Sequence, residues 1–154
     1  MKPFLEYDKI IFVCQGNTCR SPMAEVIFRQ LLPESRLEVE SRGLVVLFPE
    51  PANPKADLVL KNHDMTIENH LAVQLEASDI SETTLLITMT ESQKQLIMSD
   101  YQTEDVATIK ELAEEVGDVI DPYGGDVVDY ENCYNDLLRL IKKIIIKITH
   151  NEEE

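Results

Sequence analysis

Tryptophan is absent from this 154-residue chain, and cysteine, glycine and aromatic residues are scarce: three Cys, five Gly, five Tyr and four Phe. Basic residues are few as well, fourteen Lys and Arg against twenty-nine Asp and Glu, for a formal net charge of -15. That balance argues against a nucleic-acid surface, which neutralises phosphates with clustered cations. The acidity serves solubility, and it would also help to recruit basic peptide segments; composition alone leaves both open. No stretch reaches the roughly 20 apolar residues of a membrane span, and the first eight residues lack the apolar core of a secretion signal. An odd number of cysteines in such a chain points to a reducing cytoplasm and no membrane association. Cys14 and Cys19 lack a second ligand pair at usable spacing, so neither a metal nor a cofactor is expected.

What is present is an alternation of short apolar runs with helical patterns. It predicts one α/β domain over residues 1–150, followed by an acidic tail at 151–154. The expected architecture is a doubly wound, three-layer domain: a four-stranded parallel sheet with helices on both faces. Strands are expected at 9–13, 37–41, 84–89 and 106–109. Helices are expected at 22–32, 54–61, 91–98, 110–116 and 130–148, with a short one at 69–74. Ser21 reads as the N-cap of the first helix and Pro22 as its first residue. In the last helix Leu137, Leu138, Ile141, Ile144, Ile145 and Ile148 form one stripe, the pattern of a helix packed on a sheet. Residues 118–125 carry no helical period and read as a loop.

Directly after the first strand the chain reads Cys14-Gln15-Gly16-Asn17-Thr18-Cys19-Arg20-Ser21-Pro22. Two fixed residues in a Cys-x5-Arg pattern carry little information; placed between a strand and a helix start, with Gly, Asn and Ser at these positions, they carry much more. If the loop curls, its backbone N–H groups converge on one anion, and Arg20 closes the ring with a planar fork that matches two phosphate oxygens. Cys14 then lies beneath the anion, held as a thiolate by the amides, the helix N-terminus and Arg20. Gly16 lets the backbone approach the phosphate, Asn17 tolerates a left-handed conformation, and Ser21 can donate its hydroxyl to the Cys14 sulfur.

This run resembles the nucleophile loop of the low-molecular-weight protein tyrosine phosphatase family. Thr18 and the segment Asp121-Pro122-Tyr123-Gly124-Gly125 look most like its bacterial branch that removes phosphate from protein arginine. Segments 41–43, 87–90 and 109–111 also fall where the family has similar ones, so the likeness covers nearly the whole chain. The resemblance implies a phosphocysteine intermediate on Cys14, transition-state stabilisation by Arg20 and leaving-group protonation by Asp121, with Asp126 and Asp129 as weaker alternatives. It implies substrate contacts from Gln15, Gly16, Asn17, Thr18, Cys19, Ser21 and Tyr123, phosphorylated proteins as partners, a monomer, and a protective disulfide between Cys14 and Cys19. Cys133 reads as incidental, and His63, His70 and His150 as surface or structural residues.

Three departures from the family pattern stand out. Tyr123 sits where the arginine branch more often has Phe, Gln93 replaces a histidine, and Arg42 replaces a small residue. A phosphotyrosine phosphatase is the second reading, although Gly124 removes one aromatic wall and Thr18 is polar. A thiol-coupled arsenate reductase would need further redox cysteines, and none occurs between Cys19 and Cys133. A phosphoprotein-binding module without catalysis would tolerate loss of the nucleophile or the acid, and this chain keeps both.

Overall fold

Strand β1, Lys9–Cys14, is built from Ile10, Ile11, Phe12 and Val13, β-branched and aromatic residues that suit a pleated, buried surface. In the computed structural model, which describes residues 2–153 and side chains for 2–150, all four of these residues are fully buried. β2 (Glu38–Gly43), β3 (Thr84–Thr88) and β4 (Val106–Thr108) complete a sheet in the order β2-β1-β3-β4, every pairing parallel. Both faces are covered. Ile10, Phe12, Leu85 and Ile87 point into one core with α1 (Arg20–Leu31), α2 (Pro54–Asn62) and α5 (Val127–Glu153). Ile11, Val13, Leu86 and Val106 point into the other, against Ile97 of α3 (Glu91–Tyr101). The expected three-layer α/β fold with a four-stranded parallel sheet is therefore the observed one.

The chain leaves β1 for β2 on one side and reaches β3 on the other. The carboxyl end of β1 is thus a switch point, where open α/β sheets bind their ligands. Cys14 is the last residue of that strand.

Four local expectations need correction. α1 begins at Arg20 with Cys19 as N-cap, so Pro22 is its third residue and Ser21 lies within it; the Ser21 hydroxyl is spent on side chains of the loop and caps nothing. Residues 69–74 form no helix: Leu71 bridges Pro51 and Gln74 bridges Gly43, so this segment extends along the sheet edge. α4 is only Ile109–Leu112, because Glu114 turns left-handed at φ 60° well before Gly117. α5 starts at Val127, where Asp126 and Asp129 each accept the other's backbone N–H in a reciprocal cap.

The α5 stripe packs as expected, with Leu137, Ile141, Ile144 and Ile148 at 0% exposure and Arg139 and Lys143 paired outward to Glu115. No helix among the described residues is long and apolar enough to cross a membrane. The acidic tail expected at 151–154 lies outside the described side chains.

Candidate active site

Residues 15–19 leave β1 as an irregular loop and return at once into α1, bringing two residues seven apart into contact: Cys14 Sγ and Ser21 Oγ are 2.9 Å apart. Asn17 holds the loop in this shape. It adopts φ 57°, a left-handed conformation that asparagine tolerates better than most residues. Its amide nitrogen donates to Ser21 Oγ at 2.8 Å and Ser41 Oγ at 2.9 Å, while its Oδ1 accepts from the Val73 amide at 2.9 Å. Because Asn17 is the donor to Ser21, the Ser21 proton has two acceptors within reach, the Cys14 sulfur at 2.9 Å and the Arg42 carbonyl at 3.4 Å, and the nearer is the contact a thiolate requires.

His70 completes this support, its Nε2 lying 2.6 Å from the Asn17 carbonyl oxygen. Gly43, at the end of β2, is closely packed: a Cβ there would stand 2.6 Å from Val46 Cγ2 and 3.0 Å from the Gly16 backbone and the Asn17 Cβ. The nucleophile loop rests directly on that strand end.

Arg20 is buried, with its side chain 5% exposed. Its Nη1 donates to the Val119 carbonyl at 3.0 Å and its Nη2 lies 3.5 Å from Asp121 Oδ2. These contacts use part of a five-donor fork and aim it between the loop and the 118–125 segment. None of the amides from Gly16 to Ser21 donates to another protein group among the described residues, and the first-turn amides of α1 have no side-chain cap. Such a row of unclaimed donors at a helix N-terminus is suited to an anion.

Asp121 is about half exposed and its Oδ1 accepts the Tyr123 amide at 3.0 Å, a local turn fixed by buried Pro122. The carboxylate is thus held beside Arg20 with about half of its side chain open to solvent. Lys55, in the first turn of α2, ties this segment down by donating to the Gly125 carbonyl. Tyr130 lies buried nearby, where desolvation, with Cys19 and Asp121 beside it, pushes its phenol up to about 12. Asp126 and Asp129, the alternatives to Asp121, each give one carboxylate oxygen to capping α5.

Of the expected substrate-contact residues, Gln15 is exposed, Gly16 and Thr18 are partly buried, and Asn17, Cys19 and Ser21 are buried. Tyr123 is 82% exposed on the rim of a groove that also includes Asp121, Asp129, Cys133 and Asp136. Arg42 is turned away from the loop onto Glu40 and Asp79, and Gln93 caps α3 by accepting the Met89 and Thr90 amides.

Sequence reasoning missed His70, Ser41, Val73 and Lys55, whose supporting roles depend on chain segments meeting across 24 to 70 residues. It also missed Cys133. That residue is buried on α5. Contact with Cys133, together with burial, pushes the Cys19 thiol up. His63 has partners too, Glu131 at 2.6 Å and a stacked Tyr134 ring.

The family model for low molecular weight phosphotyrosine protein phosphatases matches residues 9–154. The low molecular weight protein-tyrosine-phosphatase PtpB of Staphylococcus haemolyticus is 35% identical over 137 residues, 88% of this chain and 96% of that protein. Among solved structures, the low molecular weight protein tyrosine phosphatase from T. tengcongensis has a TM-score of 0.86 and 37% identity, covering 90% of this chain and 98% of its own. The YwlE arginine phosphatase from Geobacillus stearothermophilus has a TM-score of 0.87 and 31% identity, covering 94% of this chain and 95% of its own.

Proposed function

The chain belongs to the low molecular weight phosphotyrosine protein phosphatase family, and from that premise we propose that it hydrolyses phosphoarginine in proteins. It is a cysteine-dependent phosphatase. The proposed sequence begins with the Cys14 thiolate attacking phosphorus, so that the S–P bond forms as the bond from phosphorus to the guanidine nitrogen breaks. Arg20 and the loop amides take the equatorial oxygens, which makes most of the catalysis electrostatic preorganisation. Asp121 delivers a proton to the leaving nitrogen. A water then attacks the phosphocysteine, Asp121 takes its proton, and the thiolate leaves.

The arginine assignment is carried by the polarity of the entrance. Thr18 stands partly buried in mid-loop, and the groove beyond Asp121 is lined by the carboxylates of Asp129 and Asp136, each of which already holds one partner, the Asp126 amide and Arg139. A guanidinium is favoured between carboxylates and a hydroxyl, whereas a phenol ring gains most from apolar walls. The YwlE likeness supports the same substrate. Phosphotyrosine is the second reading, favoured by the tyrosine-phosphatase relatives and by exposed Tyr123, which offers one ring to stack on.

Thr18→Ile is expected to lower the ratio of phosphoarginine to phosphotyrosine activity, because it exchanges a polar contact for an apolar wall and so changes differential transition-state binding. The loss expected is about tenfold or more, the scale of one such contact. Steady-state kcat/KM on matched peptides measures it for wild type and variant. A wild-type preference for phosphotyrosine would contradict the arginine assignment, and an unchanged ratio would remove Thr18 as its determinant.

A further inference from the structure

The first turn of α2 touches both segments that carry the reacting groups. The Asn53 amide donates to the Thr18 carbonyl of the nucleophile loop at 2.8 Å, the Asn53 side chain caps the Lys55 amide at 2.9 Å, and Pro54 between them fixes the helix start. From the same turn the Lys55 ammonium donates to the Gly125 carbonyl, 70 residues away in sequence, and stands 5.9 Å from the centre of the buried Tyr130 ring.

Asp121 has few other restraints. The segment that bears it is anchored at its near end, where the Val119 amide donates to the Met89 carbonyl at 2.9 Å and Arg20 donates to the Val119 carbonyl at 3.0 Å. From Ile120 to Gly124, among the described residues, the hydrogen bonds stay within the segment: Asp121 accepts the Tyr123 amide and Pro122 accepts the Gly125 amide. Only the Arg20 contact with Asp121 at 3.5 Å leaves it, and Ile120 and Tyr123 are 81% and 82% exposed. At the far end the link to α2 is Lys55. That lysine does not serve its own helix, because a cation in the first turn faces the positive end of the dipole, and it is exposed, so burial does not account for it either.

We propose that Lys55 is a positioning residue for Asp121: with Asn53 it clasps the acid-bearing segment to the nucleophile loop and so sets the reach from the carboxyl group to the leaving atom. The inference rests on Asp121 being the general acid and is independent of which phosphorylated residue is the substrate. Proton transfer needs heavy atoms within about 2.6–3.2 Å, a tolerance that a segment released at one end exceeds. Attack by Cys14 does not pass through this clasp. The cost of losing Lys55 therefore falls on substrates whose leaving group must be protonated.

The test measures burst rates of the phosphorylation step on two substrates: a phosphoarginine or phosphotyrosine peptide, whichever wild type turns over faster, and an activated aryl phosphate. Lys55→Met keeps an apolar stem against Tyr130 and removes the donor, and Lys55→Arg restores a donor. Since Lys55 is exposed, both variants should fold, with circular dichroism as the check. Lys55→Met should lose about tenfold on the peptide, short of the roughly 100-fold that a 1 Å misplacement can cost, and much less on the aryl phosphate. Lys55→Arg should recover most of the peptide rate. In an Asp121→Asn background Lys55→Met should cost little more, because the group it positions is already lost. If Asp121→Asn spares the aryl phosphate but Lys55→Met loses equally on both substrates, loses on neither, or adds its full effect to Asp121→Asn, the clasp is overturned and the acid stands. Equal losses on both substrates in Asp121→Asn itself would overturn both.

Discussion

Cys14→Ser is expected to lose all measurable turnover while keeping its fold. Serine is nearly the same size as cysteine, so the buried end of β1 loses little packing, and its hydroxyl can keep the contact that Cys14 makes with Ser21 at 2.9 Å. What changes is the nucleophile. A thiolate needs only modest stabilisation from the loop to exist at neutral pH, whereas an alkoxide at the same place would need far more. Because the intermediate is covalent, loss of the nucleophile removes the route itself and not one contribution to it. Single-turnover phosphate release, with circular dichroism to confirm folding, is the check; release at a near-native rate would show that Cys14 is not the attacking group.

Asp121→Asn separates chemistry from architecture. An amide can still accept the Tyr123 N–H and keep the turn, and it can still lie beside Arg20, but it has no proton to give a departing nitrogen. General acids contribute about 10²- to 10⁴-fold, so phosphoarginine hydrolysis should fall by that order. An activated aryl phosphate, whose leaving group departs without protonation, should lose much less in the phosphorylation step. Comparing burst rates on the two substrates reads the difference directly, and equal losses on both would assign Asp121 to holding the loop.

The parts of this account that were legible in the sequence are those that local chemistry dictates. Three runs rich in apolar and β-branched residues and one alternating segment, Glu38–Gly43, became the four parallel strands, and the strand-to-helix passage around Cys14 marked the site. Less legible was whatever depends on the ends of elements meeting in space. Ser21 precedes a proline and looks like an N-cap, yet its hydroxyl is drawn to Cys14 and Asn17. Residues 69–74 lack helix-breaking residues, yet tertiary pairing with Pro51 and Gly43 holds them extended. Likewise Cys133 sits among polar neighbours in sequence, and only the packing of α5 on α1 buries it. Gly43 shows the same limit, since part of the crowding around it comes from a loop 27 residues earlier.

Direct capture of the intermediate tests the central claim, phosphoryl transfer from protein arginine through Cys14. Wild-type protein is mixed with a radiolabelled phosphoarginine protein, quenched within the first turnover under conditions that preserve thiophosphate, and digested. The account predicts label on the peptide that carries Cys14, appearing before free phosphate. Release of phosphate with no labelled peptide, or label on another residue, would contradict it.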